Sequence, residues 1–202
     1  MKKIYIAFSG LVLAGLAAYG GSHAIMSSRT QSVQPKLKAN DEVMARGEYV
    51  ARSSDCFACH SVPGGQAYAG GLAMQTPVGA IYSTNITPDP ETGIGKYSLA
   101  QFTNAVKHGV RDDGAPLYPA MPYPSYTIMP DEDVEAMYAF FMHKVKPVKQ
   151  ANQASTMPWV MSMRWPVAYW QGLFAPAREF VANPQWDTST NRGAYLVEGP
   201  GH

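Results

Sequence analysis

Two cysteines and a histidine carry the most specific chemical signal in this sequence. Cys56 and Cys59 stand two residues apart in the run SSDCFACHSVPGG, His60 follows at once, and the 202-residue chain has no other cysteine. A disulfide, a reactive dithiol, a zinc site and a haem attachment site all use such a pair. Zinc would need about four ligands, and no second cysteine pair exists. A redox Cys-x-x-Cys normally opens a helix within a β-α-β pattern, which is absent here.

The histidine favours haem attachment. Cys-x-x-Cys-His is the attachment signature of c-type haem. Two thioether bonds would clamp the porphyrin edge on one turn of chain, and the next residue would offer an imidazole nitrogen to the iron. We therefore predict haem c, with Cys56 and Cys59 as the covalent residues and His60 as an axial ligand. A disulfide or a dithiol is the remaining alternative.

A methionine is the expected ligand on the other face of the iron, because a His/Met pair gives a closed, high-potential electron-transfer centre. Among eleven methionines, Met121 is favoured, since it lies in LYPAMPYPSY between two prolines that hold the backbone rigid. Met74, in the first long loop, is the next candidate. The remaining candidates are expected to have structural roles: Met129, Met137, Met142, His108 and His143.

Three helices joined by two long loops are predicted to hold this site. The first runs from the N-cap Asn40 to Arg52, and the second begins with a Ser98 capping box and ends at Gly109. The third is predicted to be capped by Asp131 and stopped by Pro147. Residues 61–97 and 110–130 are the loops. Three helices form a small core for loops of this length. This suggests that a large prosthetic group supplies additional apolar surface for the loops to pack on.

The N-terminus has the pattern of an export signal. Lys2 and Lys3 precede an apolar run over residues 4–19, and Ser22-His23-Ala24 offers a cleavage site. Residues 1–24 are thus predicted to be a signal peptide, with an uncleaved anchor as the alternative. A flexible leader follows over residues 25–39. The net charge of +1, without runs of like charge, excludes nucleic acid as an expected partner.

Residues 46–147 resemble the first haem domain of the multihaem cytochrome c subunits of bacterial membrane-bound alcohol and gluconate 2-dehydrogenases. The resemblance rests on RGEYVARSSDCFACH, YAGGL, PVGAIYSTNITPDPETGIGKYS, LYPAMPYPSY and MYAFFMHKVKPV, and MSMRWPVAYW resembles the connector that follows. It implies an all-α, cytochrome c-like haem domain with long irregular loops at residues 40–147, behind the signal peptide or anchor. A Trp- and Pro-rich connector would occupy residues 148–190.

The resemblance also implies a function. The protein would lie in the periplasm at the inner membrane and carry electrons from a dehydrogenase subunit, with a flavin or quinone cofactor, to ubiquinone or a downstream cytochrome. It would perform no substrate chemistry itself. Cys56, Cys59, His60 and Met121 match the family's haem residues. Tyr82, Ser83 and Asn85 would contact the haem edge and its propionates, although turn formation explains Ser83 and Asn85 equally well.

The chain departs from the family in having one haem motif instead of three. Arg192-Gly193-Ala194-Tyr195-Leu196 repeats the pattern of residues 46–50. Residues 191–202 are therefore expected to be the start of a second, truncated haem domain. A stand-alone one-haem carrier that feeds a terminal oxidase is the alternative, and a haem enzyme or gas sensor is a more distant one. The tryptophans of the connector are expected to pack within the subunit, or else to form an interface.

Overall fold

The computed structural model describes the backbone of residues 2–202 and the side chains of residues 9–202. The described part is mostly helical, with one short antiparallel hairpin. The helices are α1 Lys2–Arg29, α2 Asp41–Ser53, α3 Cys56–Cys59, α4 Leu99–His108, α5 Tyr123–Tyr126, α6 Asp131–His143, α7 Trp159–Ser162, α8 Trp165–Phe174 and α9 Thr188–Glu198. Strands β1 Ala73–Thr76 and β2 Gly79–Tyr82 pair with Met74 opposite Ile81.

The helix ends follow from local side-chain chemistry. The Asn40 side chain accepts the Val43 N–H at 2.8 Å, and Ser98 forms the expected capping box with Gln101. Gly109 ends α4 at φ 64°, a left-handed conformation that favours glycine. The prediction that Asp131 caps α6 is wrong by one residue, because Pro130 holds the cap position and Asp131 instead pairs with Lys107. Helix α6 also ends at His143, before Pro147.

The core lies where α2 crosses α6, and a glycine permits the crossing. A Cβ on Gly47 would lie 1.9 Å from the carbonyl oxygen of Ala136, so only glycine fits there. Glycine is costly inside a helix, and this close crossing is the packing reason for it. Around it pack the apolar faces of the three main helices, including the buried side chains of Val50, Phe102, Val106, Val134, Met137 and Phe141.

The β-hairpin is a difference from the all-α expectation. Residues 61–97 were expected to be irregular throughout, yet residues 73–82 pair as two strands. The hairpin is held from outside, since the Ala80 N–H donates to Thr156 Oγ1 at 2.8 Å and the Thr156 N–H donates to the Ala80 carbonyl at 3.0 Å. A segment 76 residues further along the chain therefore supports the hairpin, and local sequence does not reveal it.

The N-terminal segments lie against the helical domain. Residues 25–29 of the predicted leader belong to α1, and Arg29 donates to the carbonyls of His108 and Ala175. Further along, the N–H groups of Lys36 and Leu37 donate to the Glu135 carboxylate. The side chains of the signal lysines, Lys2 and Lys3, lie outside the described residues. Among the described residues, no helix combines the length and the apolar character needed to cross a bilayer.

The predicted connector packs on the domain through polar contacts. Gln171 of α8 is fully buried and donates to the carbonyls of Gly109 and Leu117 and to the Tyr123 hydroxyl. The tryptophans contribute less than expected: Trp159 is 77% exposed and Trp170 is 36% exposed. Buried hydrogen bonds from the Gln171 amide nitrogen to another loop are costly to break, so α8 is part of this domain's surface rather than a free linker.

Helix α9, in the predicted start of a second domain, is anchored on a buried carboxylate. Asp133 of α6 accepts the Tyr195 hydroxyl at 2.5 Å and the Arg46 Nε–H at 2.7 Å, and Arg192 lies 3.7 Å away. The repeated Arg-Gly-x-Tyr pattern therefore brings an arginine of each copy to one carboxylate. Whether residues 191–202 open a second haem domain stays a prediction.

Candidate functional site

The Cys-x-x-Cys-His run lines a pocket between α3, strand β2 and the loop before α5. The pocket holds about 710 Å³ of empty space, with the open solvent at its mouth included. Its lining is mainly apolar. The lining residues are Ser54, Asp55, Cys56, Cys59, His60, Met74, Ile81, Tyr82, Ser83, Thr84, Leu117, Tyr118, Ala120, Met121, Pro122, Tyr126 and Arg164.

The two cysteines present free thiols to this pocket. Asp55, at φ 53°, turns the chain sharply between α2 and α3, and α3 then spans the two cysteines in a single turn. Burial raises the pKa of Cys56 to about 12, and burial also raises the pKa of Cys59. Thiols held protonated in this way lack the thiolate on which a reactive dithiol depends. The arrangement therefore disfavours the dithiol oxidoreductase alternative.

The imidazole of His60 is oriented by a backbone carbonyl. Its Nδ1 lies 2.7 Å from the Thr84 carbonyl oxygen, so Nδ1 carries the proton and donates it. Burial lowers the pKa of His60, which keeps the ring neutral. The Nε2 lone pair is then free to bind a metal, the usual arrangement for a ligating histidine held by a second hydrogen bond.

The loop that carries Thr84 is held in place by a close backbone contact. Gly70, at φ 75°, packs so tightly that a Cβ would lie 2.4 Å from the Thr84 carbonyl carbon and 2.6 Å from its oxygen. The Gly70 N–H also donates to the His60 carbonyl at 2.8 Å. Gly70 thus connects both partners of the imidazole hydrogen bond, which explains why the YAGGL run has glycine at this position.

Two methionines line the pocket, and the other candidates for the second axial ligand do not. Met121 and Met74 are both half-buried in its wall, so the structure keeps both of the leading candidates. Pro122 follows Met121 and occupies the N-cap of α5, which anchors that loop. The remaining candidates lie elsewhere: Met129 and Met137 in the core, Met142 beside it, His108 buried on α4 and His143 exposed at the end of α6.

The three predicted contacts at the haem edge differ in their surroundings. Tyr82 lines the pocket, and so does Ser83, whose hydroxyl accepts the Leu72 N–H at 3.0 Å. Asn85 makes a different set of bonds: its amide donates to Thr92 and to the Val148 carbonyl, and its side-chain oxygen accepts from Thr87. Asn85 therefore organises the loop. Its contact with haem stays a prediction, as do those of Tyr82 and Ser83.

Several lining residues were not identified from the sequence, among them Tyr126, Tyr118 and Arg164. Tyr126 donates from its hydroxyl to the Ser54 carbonyl and so joins α5 to the start of the haem motif. Tyr118 lies beneath the Arg164 guanidinium, whose central carbon is 4.2 Å from the ring centroid. A single arginine in the apolar run MSMRWPVAYW was the available signal for Arg164. Both tyrosines lie in LYPAMPYPSY, the run that carries Met121, and this nearness was their signal in the sequence.

The side chains of this pocket fit a covalently held haem. Two thiols, a neutral imidazole with a free Nε2 and a thioether form a donor set suited to iron-porphyrin. Apolar walls suit the macrocycle. The buried Ser54 hydroxyl, which also lines the pocket, has no hydrogen-bond partner among the described residues.

Comparison with known proteins gives consistent results. Residues 44–144 match the cytochrome c family. The chain is 60% identical over 166 residues to the gluconate 2-dehydrogenase cytochrome c subunit of Pantoea cypripedii. The aligned region covers 82% of this chain and 38% of that protein. It is 54% identical over 165 residues to the alcohol dehydrogenase (quinone) cytochrome c subunit of Gluconobacter oxydans (strain 621H), covering 81% of this chain and 34% of that protein.

A more distant relative is the fructose dehydrogenase cytochrome subunit of Gluconobacter japonicus. It is 42% identical over 177 residues, which cover 86% of this chain and 36% of that protein. The chain thus spans little more than a third of the length of these relatives. Half of the chain matches the family, the match includes the Cys-x-x-Cys-His run, and the pocket holds the side chains that haem c requires. The chain belongs to the cytochrome c family.

Proposed function

We propose that this chain binds haem c through Cys56, Cys59 and His60, with Met121 as the second axial ligand, and transfers electrons. The observation that carries the proposal is the geometry of His60. Its Nδ1 is committed to the Thr84 carbonyl, which leaves Nε2 for iron, and the same pocket holds two free thiols and a thioether. Haem bound here supplies one-electron chemistry.

The protein's own residues would tune that chemistry. The Thr84 carbonyl makes the His60 imidazole a stronger donor to a metal, and Pro122 limits how far Met121 can move between redox states. The apolar wall formed by Ile81 and Leu117 excludes water. A thioether ligand and low solvent access both raise the reduction potential of haem iron.

The proposed electron donor is the catalytic subunit of a membrane-bound dehydrogenase with a flavin or quinone cofactor. The names of the relatives support this, because each is the cytochrome subunit of a dehydrogenase that acts on gluconate, an alcohol or fructose. Electrons would pass on to ubiquinone or to a downstream cytochrome. The protein would act in the periplasm, at the inner membrane. Relatives of this kind do not favour a stand-alone carrier.

Covalent haem attachment is the first test. The full chain, expressed with export and haem-attachment machinery, is expected to stain for haem on a denaturing gel and to show the added mass of one haem. The double change Cys56→Ala and Cys59→Ala should abolish both signals. Ser53→Ala is the matched control, since its hydroxyl bonds only to carbonyls of its own helix. Bare polypeptide mass for the wild type would refute the proposal.

The partner is tested separately. A gluconate 2-dehydrogenase catalytic subunit, mixed with the haem-loaded protein and gluconate, is expected to reduce the haem at a rate that rises with the concentration of the catalytic subunit. Addition of a ubiquinone analogue should reoxidise it. The same assay is run with the catalytic subunits of dehydrogenases for gluconate, for alcohols and for fructose. If the haem is reduced equally slowly with and without each of them, the proposed class of electron donor is refuted. The proposed haem site is not affected by that result.

A further inference from the structure

A second cavity adjoins the proposed haem pocket, and an arginine from the predicted connector lines both. The second cavity holds about 1,110 Å³ of empty space including its mouth. Ile81, Tyr82, Thr84, Leu117, Tyr118 and Arg164 line the two cavities in common. The two spaces therefore meet along one boundary, and Arg164 is the only cation on that boundary among the described residues.

The guanidinium of Arg164 is held by neutral groups alone. It stacks on the Tyr118 ring and donates from one amino group to the Pro116 carbonyl at 3.1 Å. Among residues 9–202, no carboxylate oxygen lies within 4.0 Å of its nitrogens, although Arg164 is more than half removed from solvent. A partly buried guanidinium without a counter-ion is costly, and such a site is stabilised by an anion.

Most of the other charged groups around the second cavity are already paired, whereas Asp112, which also lines it, forms no ion pair within 4.0 Å among the described residues. Arg111 forms an ion pair with Asp113 at 3.0 Å, and Glu91 forms one with Lys149 at 2.6 Å. Burial lowers the pKa of Arg164, and the positive charge of Arg111 lowers it further. Several charged or titratable groups surround the boundary: Arg111, Asp112, Asp113, Glu91, Tyr82, Tyr97 and Tyr118. Arg164 is thus the cation whose charge is left to a bound group.

We propose that Arg164 binds a carboxylate of the haem, and so closes the haem site from a segment outside the cytochrome c match. This inference rests on the proposed function. A haem carries two carboxylates, and a cofactor held by Cys56 and Cys59 fills the pocket that Arg164 lines. Arg164 lies beyond residue 144, where the family match ends. The connector would then be part of the cofactor site and not a spacer between domains.

The segment is built to hold the guanidinium in this position. Arg164 directly precedes α8, which Gln171 fastens to the domain by three hydrogen bonds. On the other side, the Tyr118 hydroxyl donates to the Met161 carbonyl at 3.3 Å. Arg164 is therefore a cofactor-binding and charge-compensating residue in this proposal.

The test compares Arg164→Gln and Arg164→Lys with Arg178→Gln, a change at an exposed arginine elsewhere on the same segment. Each haem-loaded full chain is titrated for its reduction potential from pH 4 to 9. Removing a cation beside the haem favours the ferric state, so Arg164→Gln should lower the potential. The pH-dependent step of the potential, set by the haem carboxylate, should move up by about 1–3 pH units. Arg164→Lys should restore part of both changes, and Arg178→Gln should match the wild type.

The outcomes separate this inference from the proposed function. A wild type without covalent haem refutes the function. Normal haem attachment with a potential profile for Arg164→Gln equal to that of Arg178→Gln overturns only the inference. Inorganic phosphate is the competing anion. If the wild-type potential changes with phosphate concentration and the Arg164→Gln potential does not, Arg164 binds a free anion. That result would overturn the proposal that Arg164 binds a haem carboxylate. If Arg164→Gln does not fold, Arg164→Lys carries the same comparison through its smaller shift.

Discussion

Gly70→Ala is expected to disturb the proposed iron ligand from a distance. The residue has φ 75°, where an alanine costs about 1–2 kcal/mol. The new Cβ would also lie 2.4 Å from the Thr84 carbonyl carbon, about 1 Å closer than the 3.4 Å at which ordinary contact begins. Relieving such a clash inside packed backbone costs about 1–3 kcal/mol more. The total loss of stability is then about 2–5 kcal/mol.

The same displacement should change the electronic properties of His60. The Thr84 carbonyl accepts the Nδ1–H at 2.7 Å, so a shift of about 1 Å either stretches that bond beyond the normal limit or forces the ring to follow. A weaker hydrogen bond makes the imidazole a poorer donor to ferric iron. Gly70→Ala is therefore expected to raise the reduction potential as well as to lower stability.

Gly64→Ala is the matched control for this experiment. Gly64 has nearly the same backbone conformation, φ 74°, but a Cβ there would meet no atom within 4 Å. It should lose only the backbone contribution of about 1–2 kcal/mol and keep the wild-type potential. Denaturant titration of the haem-loaded protein, followed by haem absorbance and circular dichroism, measures the first quantity, and spectroelectrochemistry measures the second. Equal stability and equal potential for the two variants would refute the reasoning.

Two further predictions concern a ligand and a buried histidine. Met121→Leu should abolish the sulfur-to-iron absorption and lower the potential, whereas Met74→Leu, on the same pocket wall, should keep both; the reverse result would exchange their roles. Burial lowers the pKa of His108 to about 4, so the folded protein binds fewer protons than the unfolded chain between about pH 6.5 and 4, and stability should fall as the pH drops through that window. Thermal denaturation at several pH values should show a flatter dependence for His108→Gln, and a slope equal to that of the wild type would contradict this assignment.

The connector changes how the domain is delimited. From the sequence, residues 148–190 were expected to be a Trp- and Pro-rich connector whose tryptophans pack within the subunit or else form an interface. In the structure, Thr156 supports the β-hairpin, Gln171 is buried against α4 and α5, and Arg164 reaches the pocket. A protein shortened to end at the last residue of α6 would therefore lose contacts on three sides of the proposed haem site.

The sequence by itself determined the features that depend on neighbours along the chain. The spacing of Cys56, Cys59 and His60 predicts a haem motif, because attachment and ligation would take place within one helical turn. The caps at Asn40 and Ser98 and the end of α4 at Gly109 are equally local. Gly47 is marked in the same local way, since a glycine inside a helix needs a packing reason.

Tertiary structure alone decided the contacts between distant segments. The partner of His60 is the backbone carbonyl of Thr84, and a carbonyl is present in every residue, so no letter of the sequence marks it. The hairpin forms because Thr156 binds its edge, and Arg164 reaches the pocket because Gln171 fastens the following helix. Such contacts depend on which loops the folded core brings together, a three-dimensional outcome that local pattern and propensity do not encode.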